Sequence, residues 1–429
     1  MRILWVKADK LLPVQNGGNI RTYHVLRYLS ERHQLTFYSY YGGTPDSDYE
    51  RELQRQLPGA VAVCTGKREL AGAARGLDYL AHLGAEPPYA VSRFADNRVQ
   101  KQLQNWFREQ RFDVAVCDFL DAAINFPGRL NIPSVLFQHN VESEIWRRHA
   151  DTAGNPVKKM MYGMEFRKML RYECTTVCKF QHVIAVSEND RALMTKWVYG
   201  DCVTVVPTGV DLAQYRPAPN PLDASAPLIT APLITFVGAM DWEPNVDGVE
   251  YFCGEVWPTI KAEVPQARFR IVGRNPDRRV QKWASIGNSN NDGSIEVTGR
   301  VPSVVEHLYQ SAVVIVPLRI GGGTRLKIYE AMATAKAVVS TTVGAEGLDV
   351  HHGRDIMLAD DPLSFAQAVI MLLRDPELRR RYEKAATETA ARYDWPAIGE
   401  RFSEVLQSAA EKKSVATRAI PVRLAEKKA

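Results

Sequence analysis

Six prolines and a single glycine fall between Pro207 and Pro232, a stretch with no hydrophobic period. Proline locks φ and lacks an amide hydrogen, so a regular element does not run through such a segment. On either side of it, short apolar runs alternate with helical patterns. The runs before it are Arg2 to Val6, Gln34 to Tyr40, Val61 to Cys64, Asp113 to Cys117, Ser134 to Phe137, His182 to Val186 and Val203 to Val206. Those after it are Leu233 to Val237, Phe269 to Val272, Ile295 to Thr298, Ala312 to Leu318, Val338 to Ser340 and Ile356 to Ala359. Apolar strands separated by helices are the pattern of parallel sheets covered on both faces. A chain of 429 residues also exceeds what one core holds. We therefore expect an α/β protein of two doubly wound domains, 1–215 and 233–392, joined by a linker at 216–232. A last helix is expected within 393–411, and a basic, aperiodic tail at 412–429 is expected to be disordered.

Between Asn245 and Glu263 the second half predicts one helix, and between Pro362 and Tyr393 another helical region. In the first half, Glu142 to Val177 is mostly helical and mixes methionines, aromatics and cations around Lys158 to Leu170. Such a helix suits either partial burial in its own domain or an anionic membrane surface.

The net charge of +5 comes from 54 basic and 49 acidic residues, with part of the excess in the tail. That balance gives no argument for nucleic acid, and it leaves room for diphosphates or an anionic lipid surface. The six cysteines lack metal spacing, which predicts reduced, mostly buried thiols. The opening residues are too polar for a secretory leader and no run reaches bilayer length, so the expected location is the cytoplasm, with peripheral contact at the inner membrane face left open.

The densest chemistry lies at Gly321 to Glu330, Gly-Gly-Gly-Thr-Arg-Leu-Lys-Ile-Tyr-Glu, directly after an apolar strand. Successive glycines let the main chain approach a ligand, and Thr324 could cap a helix whose first amides face an anion. With a helix starting near Gly323, Lys327 and Glu330 share one face. A cation and a carboxylate beside an anion hole suit a nucleoside diphosphate, with Arg325 or Lys327 on phosphate and Glu330 on ribose hydroxyls. An ordinary helix start with an i,i+3 surface pair has the same letters.

Two features of the first half also sit after strands. Gly17 and Gly18 follow the first strand, but the G-x-G-x-x-G spacing and an acid closing the second strand are missing, which disfavours a nicotinamide cofactor and an oxidoreductase. The glycines then mark either a plain turn or amides offered to a ligand. Gln138-His139-Asn140 follows another strand, at the sheet end where open α/β folds bind ligands. A structural histidine is the competing reading.

Taken together, the two halves, the Gly-Gly loop, His139, Val206 to Asp211 and Pro317 to Ala333 resemble glycosyltransferase family four over nearly the whole chain. The resemblance implies the GT-B architecture, two Rossmann-like doubly wound domains facing each other across a cleft, with the helix from Trp395 crossing back to the first domain. It implies transfer of a sugar from a UDP- or GDP-sugar to an acceptor hydroxyl with retention of configuration, in polysaccharide or glycoconjugate synthesis. No cofactor or metal is implied, the nucleotide sugar being a substrate. The acceptor is left open among glycans, lipid-linked and small molecules. By position, Glu330 resembles the second glutamate of the family's E-x7-E motif, on the donor ribose, and Gly322 stands where the first glutamate usually meets the sugar. Gly323 and Thr324 would line the phosphates, His139 the transferred sugar, Gly18 the diphosphate or the acceptor, and Gly17 with Asn19 the acceptor. Arg274 and Val301, by loop position, would face the base.

Two departures matter. The family usually carries an Arg directly after the glycine matching Gly238, and a Lys soon after, both on the diphosphate; here Ala239 follows and no cation occurs until Lys261. Arg325 and Lys327 are the expected replacements, and with His139 the expected catalytic residues, Arg319 standing third. Asp46-Ser47-Asp48 imitates a metal motif of the other glycosyltransferase architecture but lies in a polar loop. The missing Arg, Lys and Glu also fit a non-catalytic nucleotide-sugar sensor or scaffold.

Overall fold

A computed structural model describes residues 1–14, 16–67, 70, 72–82, 84–128, 130–215, 232–289, 293–320 and 325–411. The chain divides into two compact units, one formed by Met1–Pro207 with the chain from Pro396, the other by Thr208–Trp395. The division falls ahead of the expected 215 because Val210 is tied to the end of the second unit: its amide donates to the Tyr393 carbonyl at 2.8 Å and its carbonyl accepts from the Trp395 amide at 3.3 Å. Gly209 lies under the Trp395 indole, where a Cβ would stand 2.6 Å from a ring carbon. Most of the expected linker, and the tail from 412, lie outside the described residues.

In the first unit, seven parallel strands are ordered β3-β2-β1-β4-β5-β6-β7: β1 Arg2–Ala8, β2 Gln34–Tyr41, β3 Val61–Cys64, β4 Val114–Asp118, β5 Ser134–Phe137, β6 His182–Ala185 and β7 Val203–Val205. The central strands are apolar throughout because helices cover both faces; Ile3 to Val6 and Val114 to Cys117 are fully buried. Strand order reverses between β1 and β4, and a doubly wound sheet opens a crevice at the carboxyl ends of those strands.

The helix Trp395–Glu411 extends into this unit. Phe402 stacks on Trp5 at 5.3 Å between ring centres and meets Phe137 edge-on at 5.0 Å. His33 and Ser403 share a 2.9 Å hydrogen bond, and Gly399 leaves room for the Tyr28 ring, whose hydroxyl bonds Glu400.

The second unit has six parallel strands in the order β10-β9-β8-β11-β12-β13: β8 Leu233–Val237, β9 Arg268–Val272, β10 Ile295–Val297, β11 Val313–Val316, β12 Ala337–Ser340 and β13 Met357–Leu358. Its switch point lies between β8 and β11. The helix expected from Asn245 begins at Glu243 and contains a π-helical turn, Phe252–Val256, before Trp257–Glu263. Pro258 has no amide to continue the i→i−4 ladder, and the wider turn absorbs the break. The helical region after Pro362 is two helices, Pro362–Arg374 and Pro376–Ala391. Pro376 disfavours helical geometry at Asp375, whose side chain caps the second helix instead.

Among the described residues, no helix is long and apolar enough to cross a membrane. All six cysteines are free.

Candidate active site

In the second unit, the helix Leu326–Ala333 follows β11 and starts with Arg325 at its N-cap. The start expected near Gly323 is therefore three residues early, and Gly322, Gly323 and Thr324 lie outside the described residues. Lys327 and Glu330 still fall one turn apart.

The Lys327 ammonium reaches back to the end of β8. Its Nζ donates to Asn245 Oδ1 at 2.8 Å, and Asn245 Nδ2 in turn donates to the Ala239 carbonyl at 2.8 Å. Gly238 makes this approach possible: a Cβ there would stand 2.6 Å from Asn245 Nδ2 and 2.9 Å from Lys327 Nζ. Nζ also lies 4.5 Å from the centre of the Phe236 ring. Burial and the neighbouring Arg325 push the Lys327 pKa down to about 7 against the opposing pull of Glu330. Arg325, itself 5% exposed, lays its guanidinium over the Trp242 ring at 5.4 Å. Glu330 bonds Tyr215, and burial raises its pKa, opposed by Tyr215 and Lys327. Arg319, by contrast, is committed to Asp247 through two hydrogen bonds of 3.1 and 2.7 Å.

The adjoining strand ends carry the remaining expected residues. Gly238 N donates to Val272 O at 3.0 Å, Met240 N to Arg274 O at 3.0 Å and Gly273 N to Gly299 O at 3.2 Å, so the loops after β8, β9 and β10 run side by side. Arg274 is exposed there and Val301 partly so. The arrangement offers two cations and a carboxylate at a sheet switch point, a set that suits a polyanion attached to a diol.

In the first unit, Gly17 and Gly18 are not a tight turn; they open the helix Gly17–Ser30, capped by Asn16, whose side chain accepts from Asn19 N at 2.8 Å. A Cβ on Gly18 would stand 3.9 Å from His139 Cδ2, so the glycine lies against the imidazole. Asn19 Nδ2 is spent on the Lys10 and Leu11 carbonyls at 3.2 and 2.9 Å, which holds the loop after β1. His139 is 7% exposed, and its Nε2 lies 2.6 Å from Asp118 Oδ1 at the end of β4. Asp118 Oδ2 accepts from Thr22 Oγ1 at 2.8 Å and Trp5 Nε1 at 3.1 Å, with Lys7 Nζ at 3.6 Å. Burial alone would raise the Asp118 pKa, but Lys7 and His139 outweigh it and hold the carboxyl well below its usual range. Burial lowers the His139 pKa although Asp118 opposes it. A carboxylate and a neutral imidazole result. Asp46 belongs elsewhere: it caps Ser47–Gln56 and pairs with Lys10 at 2.7 Å.

Sequence reasoning missed Asp118 and Asn245. The strand expected over Asp113 to Cys117 runs on to Asp118, and an acid closing a buried strand at a switch point is a usable signal. Asn245 looked like a plain helix residue, and nothing in its spacing pointed to Lys327.

The fold has known counterparts. The Anabaena protein HepE, solved with UDP, superimposes with a TM-score of 0.65 at 14% identity, over 95% of this chain and all of that one. This is the GT-B fold of glycosyltransferases. Residues 15–214 match the family described as Glycosyltransferase Family 4, and residues 231–375 match Glycosyl transferases group 1. Together these cover more than half of the chain, which belongs to glycosyltransferase family 4. Among curated relatives, an uncharacterized 44.6 kDa protein in the cps region of Klebsiella pneumoniae is 28% identical over 32% of this chain and 36% of its own. Phosphatidyl-myo-inositol mannosyltransferase of Mycolicibacterium smegmatis is 28% identical over 52% of this chain and 56% of its own.

Proposed function

We propose that this glycosyltransferase moves a hexosyl group from a UDP- or GDP-sugar to an acceptor hydroxyl with retention of anomeric configuration, in the synthesis of a polysaccharide or glycoconjugate. The observation that carries the reading is Lys327, whose ammonium stands at Gly238 although the sequence after that glycine holds no cation until Lys261. In this reading Lys327 and Arg325 bind the diphosphate, with Gly322, Gly323 and Thr324 adding main-chain amides. Glu330 accepts from the ribose hydroxyls, releasing Tyr215, while Arg274 and Val301 border the base. The first unit takes the acceptor, and His139 beside Gly18 meets a sugar hydroxyl. HepE, solved with UDP and with UDP-glucose, supports a nucleotide-sugar donor. The phosphatidyl-myo-inositol mannosyltransferase relative makes a mannosyl group the hexosyl group worth testing first.

The chemistry requires departure of the diphosphate. The bond from the anomeric carbon to the β-phosphate oxygen breaks with its electron pair on oxygen, and the two cations stabilise that charge. The acceptor oxygen bonds the anomeric carbon from the same face, and its proton passes to the departing phosphate oxygen. No metal is needed for this charge stabilisation. The enzyme works in the cytoplasm, where peripheral contact with an anionic membrane is supported by Val157 and Met160, 67% and 64% exposed beside Lys158 and Lys159.

Incubation with UDP- and GDP-sugars and a panel of glycan, lipid-linked and small-molecule acceptors, with product anomers assigned by NMR, tests the reading. Transfer with retention supports it, and inversion or a trapped glycosyl-enzyme contradicts the mechanism. Gly322 in a glutamate's place and Ala239 in an arginine's favour a second reading, a nucleotide-sugar sensor, which predicts saturable binding with neither hydrolysis nor transfer.

A further inference from the structure

Three consecutive residues at the end of β5 share one arrangement: a carboxylate takes the donor end of each side chain and the acceptor end is left over. Gln138 Nε2 donates to Glu173 Oε1 at 3.1 Å, His139 Nε2 lies 2.6 Å from Asp118 Oδ1, and the Asn140 side chain bonds Glu142. Gln138 Oε1, His139 Nδ1 and Asn140 Oδ1 are all buried and meet no hydrogen-bond partner among the described residues. For His139 the partner settles which atom is which, because Asp118 is held as a carboxylate and a carboxylate only accepts. A buried acceptor without a donor carries a desolvation cost that a ligand's hydroxyl would relieve.

His139 is the member placed for a ligand. It stands at the sheet's switch point, against Gly18, with Phe137 and Phe119 ring centres at 4.4 and 5.4 Å fixing the imidazole plane. Asp118 cannot turn away, since Thr22, Trp5 and Lys7 hold its second oxygen. We propose that Asp118 is a positioning residue that keeps His139 as the Nε2–H tautomer, so that Nδ1 offers a lone pair to a hydroxyl of the sugar substrate. This deepens the reading above by giving His139 a polarity: it selects a hydrogen-bond donor and does not act as an acid. A ring ether or a deoxy position in that place would leave Nδ1 without a partner.

Long-range proton–nitrogen NMR correlation on protein labelled at histidine tests this without any turnover. In the wild type, His139 Nδ1 is expected at the unprotonated nitrogen position and Nε2 at the protonated one, at neutral pH. Asp118→Asn, whose amide donates to Nε2, is expected to move the proton to Nδ1. An Nδ1–H tautomer or an imidazolium in the wild type overturns the proposal, and so does an unchanged tautomer in folded Asp118→Asn. If that variant does not fold, the wild-type spectrum still decides. Addition of UDP-glucose or GDP-mannose is the second arm, with methyl glucoside alone distinguishing donor from acceptor hydroxyls. A nucleotide sugar that raises the melting temperature is expected to shift Nδ1 toward the hydrogen-bonded range, unless methyl glucoside alone does so; a bound ligand set that leaves Nδ1 unmoved overturns the hydroxyl contact. If no nucleotide sugar binds at all, the donor reading fails while the tautomer result stands. In a transfer assay Asp118→Asn is expected to lower kcat by about 10- to 100-fold with little change in KM for the nucleotide, because a displaced tautomer spoils one oriented contact.

Discussion

Lys327 Nζ and Asn245 Oδ1 meet at 2.8 Å across the end of β8, so a lysine from the helix after β11 fills the space beside Gly238. A charge-assisted bond to phosphate contributes about 1.5–3 kcal/mol. Lys327→Met is therefore expected to weaken UDP or GDP binding by roughly 10- to 100-fold by calorimetry. Asn245→Ala, which frees the ammonium without removing it, should cost less.

The same lysine gives a pH dependence. In the folded chain its pKa is pushed down to about 7 by burial and Arg325, whereas the unfolded chain holds an ordinary lysine. Between those values the unfolded state binds more protons, so this group's contribution to stability rises with pH through that window. Lys327→Met should consequently be at least as stable as wild type at pH 6 while binding less nucleotide. A diphosphate favours the ammonium, so binding at pH 8 should take up about one proton, and at pH 6 close to none. Titrations in buffers of different ionisation enthalpy measure that difference.

Glu330 separates nucleoside from phosphate. Glu330→Ala removes the hydroxyl acceptor only, so UDP affinity should fall by about 10-fold or more while inorganic pyrophosphate binds as before. Equal losses for both ligands would place Glu330 on the phosphates.

Gly273 and Gly238 divide folding from binding. A Cβ on Gly273 would lie 1.6 Å from the Gly238 carbonyl oxygen, backbone against backbone, and Gly273→Ala should cost more than the ~1–3 kcal/mol typical of overpacking. At Gly238 the nearest atoms belong to side chains. Gly238→Ala should fold with a modest loss in denaturant midpoint and displace Lys327, losing nucleotide binding.

Phe402 links the last helix to the first unit. It is fully buried against Trp5 and Phe137, so Phe402→Ala should destabilise that unit by about 3–5 kcal/mol in urea melts. Trp5 also bonds Asp118 and Phe137 packs on His139, so the variant should loosen the imidazole as well.

Most of the fold was legible because buried parallel strands announce themselves as apolar runs; all thirteen are found within a few residues of where the runs lie. The π-helical turn and the break at Asp375 needed backbone hydrogen-bond detail that hydrophobic period does not carry. At the site, Lys327, Glu330 and His139 stood out because of a glycine loop or a strand end beside them. Asn245 and Asp118 act through contacts 82 and 21 residues away in sequence, and local spacing is blind to such pairs. Arg319 illustrates the converse: a cation in a promising place, already matched by Asp247.

The central claim is that the switch point of the second unit binds a nucleoside diphosphate sugar, and thermal unfolding with UDP-, GDP- and ADP-sugars tests it most directly. Ligand at about 100 times its Kd adds about 2.7 kcal/mol to the folded state, so one nucleotide class should raise the melting temperature by several degrees in wild type and by far less in Lys327→Met. No shift with any nucleotide sugar, or an equal shift in Lys327→Met, would contradict the account.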